Sequence, residues 1–133
     1  MRAPALLLAC LALAGCGTAS ADLFVVKRSG ADRKANLTLL VSDGGTVTCN
    51  GREHEIANDL LLRARELTRQ MSEQAELNLA LPPGPDPVLS YRVEMEAGTI
   101  AFADTSRPLP RSFTDLTVFT KDVSENVCRI DRT

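Results

Sequence analysis

The chain of 133 residues has no tryptophan, one tyrosine, four phenylalanines and a single histidine. So few aromatics give no stacking platform for nucleic acid, and no run of Lys or Arg offers a stripe for phosphates. Overall charge excludes the same partners. There are 15 Lys plus Arg against 17 Asp plus Glu, a net −2, which draws the protein neither to DNA or RNA nor to anionic lipid. One histidine and no close cysteine pair leave no zinc site. There is no phosphate-cradling glycine loop, and none of Ser29, Ser42 or Ser90 stands in a Gly-x-Ser-x-Gly elbow. No cofactor is expected.

Long hydrophobic runs are also missing, with one exception at the start. Arg2 supplies a positive charge, and Ala5 to Ala14 are uncharged and mostly apolar. That stretch is too short to cross a bilayer as a stable helix but has the length of a secretory signal core. It runs into Leu13-Ala14-Gly15-Cys16, an order that resembles the lipobox of bacterial lipoproteins. The resemblance implies a signal peptide over 1–15 that is cut before Cys16. The Cys16 thiol would be joined to diacylglycerol, with its freed amine open to acylation by palmitate. The chain is then expected to be exported and lipid-anchored, in the bacterial cell membrane or in the outer membrane of a Gram-negative cell. Two acyl chains suffice for stable attachment where one is marginal. Residues 16–21 form the lipidated tether, and Gly17 to Ala21 reach only about 18 Å when fully extended.

Four cysteines sort themselves on this reading. Cys10 leaves with the signal and Cys16 carries lipid, so Cys49 and Cys128 remain. In an exported domain two remaining cysteines are most simply a disulfide, the alternative being two buried thiols. Without Cys-x-x-Cys spacing the bond is structural rather than redox-active. On the chain-entropy model it stabilises the fold by roughly 4 kcal/mol.

Residues 22–133 read as one domain. Asp22 to Arg28 favours a strand, Gly30 to Ala35 is a polar connection, and Asn36 to Ser42 alternates as a second strand. Asp43-Gly44-Gly45 signals a hairpin returning through Thr46 to Asn50, with Val47 and Cys49 on one face. The period then changes. Ile56, Leu60, Ala64, Leu67 and Met71 predict an amphipathic helix from about Glu55 to Gln74, or from a slightly later start capped by Asn58 or Asp59. Val88 to Glu96 alternates again, Ala97-Gly98 turns, and Thr99 to Ala103 returns. Asp104 to Pro108 is a loop, and Pro110 suits the first turn of a closing helix bearing Leu109, Phe113, Leu116, Val123 and Val127. The order βββαββα predicts an α+β fold. Its form is a two-layer sandwich, an antiparallel sheet of about five strands with two helices on one face.

The side chains that invite a catalytic reading fall short of one. Glu53 and Glu55 flank His54, yet neighbours in sequence do not converge on a point, and a surface histidine near the helix start is expected. Glu94 and Glu96 could pair as acid and base, but their alternation with apolar residues predicts a solvated face. Between the first helix and the next strand stands Pro82-Pro83-Gly84-Pro85-Asp86-Pro87, which neither helix nor central strand accommodates. It is either a linker or a pre-stiffened contact surface that loses little entropy on binding a partner.

One wider resemblance follows from Val26-Lys27-Arg28-Ser29-Gly30, the mid-chain helix, and the Pro-rich stretch into Leu89-Ser90-Tyr91-Arg92-Val93. With the following hairpin and the Leu109-Pro110 helix entry, this resembles the emfourin family. Those small bacterial proteins are similar to the inhibitor of protealysin, a thermolysin-like zinc protease. The similarity spans about Asp22 to Val123 and departs from the pattern at Ala31, where a second glycine would be expected. It implies a non-catalytic domain that binds an envelope or exported protein, with a metalloprotease as the target class. The other reading is a structural or assembly factor of the cell envelope without inhibitory activity.

Overall fold

The computed structural model describes residues 21–130. The expected signal peptide, Cys16 and most of the tether lie outside them. The described chain is α+β. Six strands, β1 (Asp22–Gly30), β2 (Leu37–Ser42), β3 (Thr46–Cys49), β4 (Arg52–Glu55), β5 (Leu89–Met95) and β6 (Gly98–Ala103), join two helices, α1 (Asn58–Glu76) and α2 (Arg111–Asn126). They form one open sheet in the order β4-β3-β2-β1-β5-β6, with every neighbouring pair antiparallel. The first strand is therefore internal. It is flanked by β2 from its own hairpin and by β5 from beyond α1.

The sixth strand, β4, is the main addition to the expected order. Arg52-Glu53-His54-Glu55 has no apolar alternation, so it carries no strand pattern of its own. Its signal is the preceding Asn50-Gly51, whose φ angles of 47° and 87° suit the tight hairpin that matches strand twist. The helix starts at Asn58 rather than Glu55, close to the later of the two expected starts, but its cap is Ala57 and neither Asn58 nor Asp59. His54 thus belongs to a strand rather than to a helix start.

Alternation assigns the two faces of the sheet. Phe24, Val26, Leu39, Val41, Val47 and Val93 point inward and are fully buried or nearly so. Ala64, Leu67, Met71 and Ala75 of α1 meet them, as do Phe113, Leu116, Phe119 and Val123 of α2. Phe113 stacks on Phe102 and Phe102 on Tyr91, with ring centres 4.9 and 5.0 Å apart, while Phe119 meets Phe24 edge to face. Both helices cover this one face and leave the other bare.

The helices cross the strands at different heights. At its start α1 sits by the β2–β3 turn, where Ile56 N–H donates to Gly45 C=O and Arg65 pairs with Asp43. It ends beside the β5–β6 turn, where Asn78 Oδ1 accepts from Thr99 N–H at 3.0 Å. Both turns lie at the end of the sheet where β1 begins. Arg63 of α1 reaches Asp122 of α2 at 2.9 Å.

The two sheet edges are managed differently. Residues 79–81 run alongside β6, with Leu81 N–H donating to Ala101 C=O and Ala101 N–H to Leu79 C=O. The opposite edge, β4, is four residues long and carries Arg52, Glu53 and Glu55. Short length and charge are the usual protection against stray strand pairing.

Candidate functional site

Residues 82–87 follow the segment beside β6 and lead into β5. Proline has no N–H to satisfy and a fixed φ, so four prolines in six residues make an extended, preset connection. All six side-chain positions are exposed except Gly84, which is half-buried. The loop is braced by a second one, Asp104 to Pro110. Ser106 is fully buried, and its Oγ donates to Pro82 C=O while accepting from Ala103 N–H, both at 2.9 Å. The Asp104 carboxylate accepts from Val88 N–H and Leu89 N–H at 3.1 and 3.2 Å. Arg107 Nη1 donates to the carbonyls of Asp104 and Ser106. The two backbones touch at Gly84, where a Cβ would stand 2.2 Å from Thr105 C=O.

The position of this loop pair follows from register. Leu89 lies opposite Gly30, the last residue of β1. Asp22, where β1 begins, is at the other end of the sheet, and nine residues at about 3.3 Å each separate the two ends by roughly 26 Å. The proline loop is therefore remote from the point where the chain enters the domain.

Cys49 and Cys128 are joined in a disulfide with Cα atoms 5.8 Å apart and stand 79 positions apart in sequence. The bond fastens the end of β3 to the segment just after α2. A turn of backbone completes the fastening, since Cys128 N–H donates to Val123 C=O and Ile130 N–H to Ser124 C=O. The expected pairing is present, and it holds the closing helix onto the sheet.

The catalytic candidates stay apart. His54 pairs in register with Val47, whereas Glu53 and Glu55 pair with Thr48 and Thr46, so alternation puts the histidine and its flanking acids on opposite faces. His54 is also three strands away from Ser29. Glu94 accepts from Lys27 Nζ at 3.1 Å and Arg92 Nε at 3.3 Å. Lys27 first, then Arg92, hold its carboxyl below the ordinary glutamate value, opposite to what a general acid needs. Its expected companion Glu96 falls outside the strand, in the β5–β6 turn. Among the described residues no three His, Cys, Asp or Glu side chains converge as metal ligands.

The bracing residues Asp104 and Ser106 carried only a general signal in sequence. Asp and Ser in a loop favour hydrogen bonds to nearby backbone, but their partners at Val88 and Pro82 are 16 and 24 residues away. Comparison with protein-family models, curated proteins and solved structures finds no match to this chain. The class defined here is architectural, a disulfide-clamped α+β domain with one bare sheet face and a braced proline loop at one end.

Proposed function

We propose that the protein is an envelope lipoprotein whose small domain binds another protein without catalysis, as a module of inhibitor type. The braced proline loop is the observation that favours it most. A loop fixed by Ser106, Asp104 and Gly84 has little conformational entropy left to lose, so contact with a partner meets a smaller ordering cost. Its place supports the same reading. With a short tether from Cys16 entering at Asp22, the loop stands at the end of the domain away from the anchor. The disulfide suits an oxidising compartment outside the cytoplasm. The emfourin resemblance supplies the target class, a thermolysin-like zinc protease.

Ala31 favours the second reading, an assembly factor of the envelope without inhibitory activity. It replaces the glycine of the emfourin pattern and directly follows Gly30, where a Cβ would stand 2.8 Å from Val88 C=O beside the proline loop. One experiment separates the two. The detergent-solubilised lipoprotein is assayed against a panel of thermolysin-like proteases and used to recover partners from native membranes. Inhibition at micromolar concentration, weakened when residues 82–87 are replaced by a Gly/Ser link of equal length, is the expected result. No inhibition, with no protease recovered, leaves the assembly factor.

A further inference from the structure

On the bare face of the sheet, β1 and β5 place Lys27 and Arg92 directly opposite each other. Like charges in that register repel and reduce sheet stability. One carboxylate, Glu94, serves both cations, so the trio keeps a positive charge in excess. Glu94 engages Arg92 through Nε, which leaves the two outer guanidinium nitrogens as donors.

These cations border a depression of about 600 Å³ that extends toward the end of β1. The next outward-facing register pair within it is Ser29 and Ser90. Arg28, Leu37, Thr38 and Tyr91 line it too, with Asn36 and Asn50, each of which commits its side-chain oxygen to backbone. Asn50 Oδ1 accepts from Thr38 N–H at 2.8 Å, and Asn36 Oδ1 from Gly30 N–H at 3.4 Å. What the asparagines still offer is their NH₂ groups. No Asp or Glu lines the depression. Its accessible side chains are thus cations, amide donors and hydroxyls, a set that calls for a ligand rich in acceptors and negatively charged. The apolar residues beneath, Leu37 and Tyr91, are buried, so the exposed aromatic or aliphatic anchors that dominate protein–protein contacts are missing here.

We propose that this depression binds an acidic sugar. Its oxyanion meets the outer guanidinium nitrogens of Arg92 and the N–H donors that Glu94 leaves on Lys27, and its hydroxyls meet Ser29, Ser90 and the Asn36 and Asn50 amides. The site depends on neither the lipid anchor nor the proline loop, so its failure and theirs are separate results.

The test is an NMR titration of the detergent-solubilised protein at low salt with galacturonate, and with galactose and acetate as separate arms. Saturable shifts are expected at Lys27, Ser29, Ser90 and Arg92 and at the side-chain amides of Asn36 and Asn50, with galacturonate binding more tightly than either arm. Arg92→Gln should weaken binding about tenfold or more, the loss that follows removal of a charge-assisted hydrogen bond. Its melting temperature should not fall, because a like-charge pair is relieved, and Lys27→Gln should behave alike. Absence of saturable shifts, or unchanged affinity in the double variant, overturns the site. Equal affinity for acetate and galacturonate overturns its assignment to a sugar.

Discussion

Gly84 and Ser106 hold the proline loop by opposite means, one by having no side chain and the other by burying a polar one. Any Cβ at position 84 collides with Thr105 C=O, so Gly84→Ala must push the two loops apart. A loss of about 1–3 kcal/mol is expected in urea unfolding, the range for forced overpacking. Ser106→Ala removes a donor from the part-buried Pro82 C=O and an acceptor from the buried Ala103 N–H. That loss should also be about 1–3 kcal/mol, because the buried Ala103 N–H is left without its partner. Both variants should weaken partner binding further than stability, if the loop is the contact surface. The proline run was legible at this scale because it constrains its own backbone. The brace was not, since Ser106 meets Pro82 only after β5 and β6 have folded back between them.

The elements are held together by a few cross-links whose strengths differ widely. Replacing Cys49 and Cys128 by serine should lower stability by roughly 4 kcal/mol, because a long closed loop is released in the unfolded chain. Comparison of urea midpoints with and without reductant checks the same quantity in the unaltered protein. The Arg63–Asp122 link between α1 and α2 is weaker, since both partners are well exposed. The Asn126 amide first, then Arg63, hold the Asp122 carboxyl below its ordinary value. Its folded form therefore binds a proton less readily than its unfolded form. The stability it contributes is present above the ordinary aspartate value of about 3.9 and is lost as pH falls through the lowered folded value. Asp122→Asn should flatten the acid limb of the stability–pH curve, with a change at neutral pH below about 1 kcal/mol. Five of six strands and both helices were legible as elements, β1 from its run of strand-favouring residues and the others because each repeats its apolar residues at its own period. β4 has no such repeat. It exists because the Asn50-Gly51 turn directs the chain back along β3, and backbone pairing rather than side-chain burial holds it there.

For the whole molecule, the proposed anchor and the folded domain are separable. The core, both helices and the disulfide all lie within the described residues, so Cys16→Ser should move the protein out of the membrane fraction without lowering its melting temperature. An intact Met1 terminus with no acyl mass on protein from its native cells would refute the lipoprotein reading. The order of strands also fixes a polarity. With β1 internal and nine residues long, the chain enters at one end of the sheet and the proline loop closes the other.

By itself the sequence determined the class of fold, the two amphipathic helices and the inward faces of the alternating strands, and it pointed to Cys49 and Cys128 as the pair. These are local matters, set by apolar periodicity and by composition, which each segment carries whether or not the rest has folded. Only the tertiary structure decided what depends on register between distant segments. It set Lys27 against Arg92 and Ser29 against Ser90, put His54 and its flanking acids on opposite faces, and laid Gly84 on Thr105. Strand pairing has a period of two, so a shift of one residue would have sent each of the strand side chains among them to the other face. The register that prevents it comes from burying the whole inner face at once.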